Sequence, residues 1–287
     1  MELGICVRDL PAAEVARVGH LAEEQGYGYV FVPDVRGGMG DPSGRLGGRD
    51  AFVSLGALFE ATSVVQGAVG VAAVPFHLPA ALALTAATLT EQSEGRFLLG
   101  VGISHRESTE RHGIPFPDRP VAATREWVQE LRRRSEGGLA FGGGFPILVG
   151  ALGDRMVGLG AAEADGVVLN WLTPEHAAAT VKQVRDAAEA AGRRGFCVLY
   201  ARLSPADTVR ADAVGYDALA NYHEHFVRQG LADPEAIVAR TCLSAEDPGA
   251  ARAQLDAYAE AGIDVLCLYP HGFDEVERAR LLTALAS

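Results

Sequence analysis

Eight short apolar runs alternate with helical patterns along the 287-residue chain, and this alternation constrains the fold more than any other feature. The runs are LGICV (3–7), YGYVFV (27–32), VVQGAVGVA (64–72), RFLLGVG (96–102), FPILVG (145–150), DGVVLN (165–170), FCVLYARL (196–203) and DVLCLY (264–269). They are continuous rather than strictly alternating, as expected of parallel strands covered on both faces. Residues 12–25 carry Val15, Val18, Leu21 and Ala22 at helical spacing, and 79–93 open on Pro79, which suits a first helical turn. Residues 118–134 are amphipathic. Residues 173–192 start with Thr173 as cap and Pro174 behind it and stop at Gly192; residues 249–262 stop at Gly262. Repeated strand–helix units with no linker predict one domain over 1–287, an α/β chain folded as a closed (β/α)8 TIM barrel. An open, doubly wound sheet is the alternative.

Charge narrows the partners. With 25 basic and 37 acidic residues the net charge is -12, which argues against nucleic acid and anionic membrane surfaces. A small anion is still compatible, because backbone amides bind it locally. No stretch of about 18 apolar residues reads as a membrane span, and MELGICVRDLP has no signal-peptide pattern. The expectation is a soluble, cytoplasmic protein. Cys6, Cys197, Cys242 and Cys267 form no Cys-x-x-Cys pair, so they read as buried small hydrophobes, and no metal site is indicated. In NYHEHF, His223 and His225 are two apart and fall on different helix faces, which predicts a solvated helix rather than a metal pair.

In a barrel of this kind, chemistry sits where the strands end at their C-terminal side. Asp34 follows the second run and leads into a glycine-rich stretch, 37–48, read either as a mobile mouth loop or as disorder. His77 follows the third run; Ser104 and His105 follow the fourth; Asn170 and Trp171 follow the sixth; Arg202 closes the seventh; and His271 follows the eighth. After the fifth run, PILVGALGDRM turns from strand to helix through Gly150-Ala151-Leu152-Gly153. Free amides and the helix dipole favour an anion there, and Arg155 in the first turn is positioned to add a charged contact. The alternative is an ordinary turn with glycine for steric reasons.

Four segments, in order, resemble the luciferase-like monooxygenases, and most closely their branch that uses the deazaflavin coenzyme F420. They are LAEEQGYGYVFVPD; VVQGAVGVAAVPFHLPAALALTAATLTEQSEGRFLLGVG, with its Ser-x-Gly-Arg-Phe-x-Leu-Gly-x-Gly ending at 93–102; PILVGALGDRMVGLGAAEADGVVLNWLTPEH; and LDAYAEAGIDVLCLYP. The match is weakest over 203–245.

The resemblance implies a cofactor at the C-terminal mouth, F420 or alternatively FMN. Gly150, Ala151, Leu152 and Gly153 would cradle its phosphate with Arg155 nearby. Gly70 and Val71 would back the ring across a cis peptide, Gly102 and Ser104 would line it, and Asn170 would stand at the pocket edge. It also implies a homodimer and a small-molecule substrate. The implied activity is hydride transfer between F420 and that substrate. The alternatives are an FMN-dependent monooxygenase of the same fold and a non-catalytic flavin-binding homologue. The sequence departs from many relatives by carrying Asp34-Val35 where they have an acidic residue followed by histidine. His105, three residues beyond Gly102, is therefore the candidate for proton transfer, because imidazole titrates near neutrality. Asp34 is the candidate for orienting a partner or the cofactor. An exposed carboxylate there would be a poor acid at neutral pH.

Overall fold

The computed structural model describes residues 1–34, 48–138, 141 and 144–286. Val35, Arg36 and the greater part of the glycine-rich stretch, to residue 47, lie outside them.

Eight parallel strands close on one another in chain order: β1 (Glu2–Cys6), β2 (Tyr29–Val32), β3 (Gln66–Ala73), β4 (Phe97–Gly102), β5 (Ile147–Gly150), β6 (Gly166–Asn170), β7 (Phe196–Arg202) and β8 (Val265–Tyr269). Closure is explicit at β1, where Gly4 lies opposite Tyr29 of β2 on one side and Cys267 of β8 on the other. The open-sheet alternative is thereby excluded. The sequence places each strand within two or three residues, because a strand buried on both faces must be apolar along its whole length.

Two apolar cores follow from the two faces of each strand. One set of side chains fills the barrel: Tyr29, Phe31, Ala68, Leu98, Leu148, Val168, Val198, Tyr200, Val265 and Cys267 are buried together. The alternate set, including Val30, Val69, Leu99, Val149, Leu199 and Leu266, packs outward against the helices. These are α1 (Ala12–Gln25), α2 (Ala51–Ala61), α3 (Pro79–Gln92), α4 (Arg106–Arg111), α5 (Pro120–Arg133), α6 (Asp154–Glu163), α7 (Pro174–Ala190), α8 (Ala206–Asp217), α9 (Ala220–Arg228), α10 (Pro234–Thr241), α11 (Pro248–Glu260) and α12 (Glu275–Ala286). No helix among the described residues is long and apolar enough to cross a membrane. All four cysteines are buried and free.

Two features fix the ends of the barrel. At the N-terminal end, the Arg96 guanidinium donates to the carbonyls of Val65, Thr62 and Phe59 and to Thr62 Oγ1, while its Nε donates to Ser93 O. It ties the end of α2, the entry to β3 and the end of α3 to the start of β4. At the other end, α8, α9 and α10 are inserted between β7 and α11 and carry a small core of their own. Trp171, Val209, Tyr222, Phe226 and Ile237 are buried in it. This insertion coincides with 203–245, where the family resemblance is weakest.

His225 corrects an expectation. The sequence predicts a solvated helix, yet His225 is buried and its Nε2 donates to the carbonyls of Asn170 and Trp171. His223 is exposed and pairs with Asp217, as expected of a solvated face. The two histidines do fall on different faces, and one of those faces seals the insertion onto the β6–α7 turn.

Candidate active site

A cavity of about 620 Å³ opens at the C-terminal mouth. Its wall is built from strand ends and from the turns that follow them. Cys6 and Arg8 come from β1 and beyond, Gly70 and Val71 from β3, Gly102 to His105 from β4, Gly150 to Gly153 from β5, Asn170 from β6, Tyr200 and Arg202 from β7, and Tyr269 from β8.

The peptide between Gly70 and Val71 is cis, as the resemblance implies, and the β3–β4 register shifts between Val69 and Ala72. Gly70 O accepts a 2.7 Å hydrogen bond from the Tyr200 hydroxyl. Only glycine fits there, because a Cβ on residue 70 would stand 1.9 Å from Tyr200 Oη. Val71 projects toward Gly102 and Gly150, each of which leaves room for its methyl groups. Burial pushes the Tyr200 phenol well above its ordinary pKa, so it stays a donor at neutral pH.

At the top of β5 the chain turns into α6 with Gly153 as its cap residue, and no side chain caps it. The amides of Leu152, Gly153, Asp154 and Arg155 make no backbone hydrogen bond among the described residues. Such a helix start offers free donors to an anion. Arg155 is exposed and does not line the cavity. At the second helical position its side chain turns to solvent. The cation at this corner is instead Arg228, from the end of α9, whose Nη2 lies 3.4 Å from Leu152 O.

Ser104 takes a left-handed backbone, φ 68°, which turns the chain out of β4 and into α4. His105 follows as the cap residue of α4 and lines the cavity beside Tyr222, with 5.5 Å between ring centres. Its Nδ1 is buried without a hydrogen-bond partner among the described residues. Burial lowers its pKa, with Glu107 pulling weakly the other way, so the ring is neutral at pH 7.

Asp34 is buried rather than exposed. Its Oδ2 accepts from Ala73 N at 3.3 Å and lies 2.7 Å from His77 Nε2. Asp34 lines the cavity, and His77 stands behind it against Phe52. The pairing joins residues 43 apart in sequence, brought together by the parallel pairing of β2 with β3.

Asn170 is held from both sides. Its amide donates to the Tyr222 hydroxyl at 3.0 Å, and its oxygen accepts from Arg202 Nη1. Arg202 is buried, and its guanidinium carbon lies 4.0 Å from the centre of the Trp171 ring and about 5 Å from those of Tyr216 and Tyr269.

A closed parallel barrel with a bulged strand, a helix start whose amides make no backbone hydrogen bond among the described residues, and a cluster of ionisable groups at one mouth has the build of an α/β-barrel enzyme. Residues 5–265 match the model of the luciferase-like monooxygenase family, and the chain belongs to that family of enzymes. Two relatives are named 5,10-methylenetetrahydromethanopterin reductase. The one from Methanolobus tindarius is 28% identical over 199 residues, 64% of this chain and 58% of that protein. The one from Archaeoglobus fulgidus is 30% identical over 193 residues, 61% of this chain and 54% of that protein. The matched region thus spans little more than half of each relative. Among solved structures, an F420-dependent secondary alcohol dehydrogenase in complex with an F420–acetone adduct superposes with a TM-score of 0.80. It is 19% identical, covering 99% of this chain and 98% of that one, a likeness of fold.

Proposed function

We propose that the protein is an F420-dependent oxidoreductase acting on a small organic substrate. The observation that carries this reading is the run of unsatisfied amides from Leu152 to Arg155, opening onto a cavity backed by Gly70–Val71. A phosphate-bearing cofactor matches those donors, and Arg228 adds a charge at the same corner. Gly70, Val71, Gly102, Ser104 and Asn170 line the remainder of the wall where a ring would be held. F420 supplies a carbon centre that accepts or donates a hydride; the protein binds, orients and shields it.

The chain's own part in the reaction is proton management. His105 is neutral at pH 7, so its imidazole accepts a proton from a substrate hydroxyl as that carbon is oxidised and returns it in the reverse direction. Asp34, held by His77 and by Ala73 N, presents a fixed carboxylate to the same cavity and orients what lies there.

Fluorescence titration of the purified protein with F420 and with FMN tests the reading. Micromolar binding of F420, with FMN binding at least tenfold weaker, is the expected result. Preference for FMN would favour the monooxygenase alternative, and binding of neither would sink both. F420 binding without turnover of any alcohol or carbonyl donor would favour a non-catalytic homologue. The homodimer is part of the same reading and is checked by sedimentation velocity.

A further inference from the structure

Among the described residues, the buried guanidinium of Arg202 has no counter-charge in contact with it. Its side chain is only 2% exposed and lines the cavity. Nη1 donates to the neutral amide oxygen of Asn170, and the planar faces lie against Trp171, Tyr216 and Tyr269. Nε is buried with no hydrogen-bond partner among the described residues. No ion pair of Arg202 occurs among the described residues. Asp212 acts on it only at longer range and does not line the cavity. Arg8, the other guanidinium on this side, is already occupied by Asp9 and the Tyr269 hydroxyl.

Guanidinium stays protonated at any working pH, so neutralisation cannot relieve this burial. A buried charge ordinarily has a partner or a metal. With Nη1 taken by Asn170, the free edge is the one formed by Nε and Nη2. It carries two parallel N–H donors, the spacing that matches the two oxygens of a carboxylate. The aromatic rings around it supply an apolar seat for the body of such a molecule.

We propose that Arg202 is a substrate-anchoring residue and that the substrate is a small carboxylate-bearing molecule, its carboxylate seated on the Nε–Nη2 edge. The proposal rests on the oxidoreductase reading for the word substrate, and on Arg202 alone for the anion. Four arginines line the cavity of this acidic protein, but Arg8 and Arg106 are paired with Asp9 and Glu110, which leaves Arg202 and Arg228 as the lining arginines with no ion pair among the described residues. Two such unpaired cations at one mouth can hold an anion locally in spite of the overall charge.

The test is isothermal titration of the cofactor-loaded protein, and separately of the cofactor-free protein, with benzoate and acetate against their neutral isosteres benzamide and acetamide. Benzoate is expected to bind at least tenfold more tightly than benzamide. Arg202→Gln should abolish that preference, and Arg202→Lys should retain part of it. Asn170→Asp keeps the arginine but gives it an internal carboxylate, so it too should abolish the preference. That variant decides the matter if Arg202→Gln fails to fold. Equal binding of acid and amide, no binding of either, or a preference that survives Asn170→Asp would overturn the proposal. So would benzoate that binds only the cofactor-free protein while Arg202→Gln weakens F420 tenfold, since the anion on Arg202 would then be the cofactor's own. Arg202-dependent benzoate binding in a protein that takes up neither F420 nor FMN supports the anion seat and removes the oxidoreductase reading instead.

Discussion

Replacing Gly153 by valine separates folding from cofactor binding. Gly153 has φ -109° and ψ 157°, an extended conformation open to any residue. A Cβ built there meets nothing closer than Arg228 Nη2, at 3.9 Å. The backbone therefore accepts valine without strain, and the side chain projects into the corner where the α6 amides are free. Stability should fall by about 0.5–1.5 kcal/mol, because valine is a poorer helix cap than glycine. For a protein of this size that is a drop in Tm of a few degrees. Cofactor binding should suffer more. Steric exclusion of an anion removes at least one charge-assisted hydrogen bond, worth about 1.5–3 kcal/mol, or roughly a 10- to 150-fold rise in Kd. Fluorescence titration at constant ionic strength reads the affinity, and differential scanning calorimetry reads the fold. Arg228→Gln should weaken binding by about tenfold through loss of a charged contact. Arg155→Gln, exposed and off the cavity, should change it by less than about twofold. A folded Gly153→Val protein with unchanged affinity would refute the cradle, and a larger effect of Arg155→Gln than of Arg228→Gln would refute the choice of cation.

His105→Ala should lower turnover by at least about tenfold, the bottom of the range for general acid–base catalysis, while cofactor Kd stays within about twofold. The wild-type rate should fall as acid protonates His105, below the ordinary histidine range, because burial lowers its pKa. His105, His225 and His271 are all held neutral mainly by burial. Each contributes stability that is complete above the ordinary histidine pKa and is lost as pH falls through it toward the depressed folded value. Urea denaturation at pH 7.5 and 5.5 should show a smaller loss for His225→Gln than for wild type, by up to about 1.4 kcal/mol per pH unit. Glutamine retains an N–H donor for the Asn170 and Trp171 carbonyls. Gly70→Ala should destabilise by about 1–3 kcal/mol through overpacking against Tyr200 Oη. Tyr200→Phe in the same chain should recover part of that, and fully additive effects in the double mutant would argue against the contact.

The eight strands were legible because burial on both faces writes itself into the chain as unbroken apolar runs. The strand-end residues followed from closure: once the barrel is assumed, Gly70, Gly102, Gly150 and Asn170 have to lie at one mouth. Legibility failed where a contact joins distant segments. Local reading names Arg155 as the cation beside Gly153, since it is next in sequence. Helical geometry turns that side chain outward, and Arg228 arrives from 75 residues further on. The Asp34–His77 pair was hidden in the same way, and so was the burial of His225. That histidine belongs to a short helix whose apolar partners, Trp171 and Leu152, sit on other loops. The insertion of α8, α9 and α10 was hard to place because its helices are only 8 to 12 residues long and pack on loops distant in sequence.

The Arg96 clamp carries a consequence of its own. The arginine of the Ser-x-Gly-Arg-Phe motif spends its guanidinium on carbonyls and one hydroxyl at the N-terminal end of the barrel, a full strand length from the cavity. What makes the chain recognisable is thus a joint in the scaffold, mechanically remote from the chemistry. Side chains at the mouth can be exchanged for a different substrate without loosening that joint. Two proteins sharing this motif are then alike in how they are held together, and the motif says nothing about what either one oxidises or reduces.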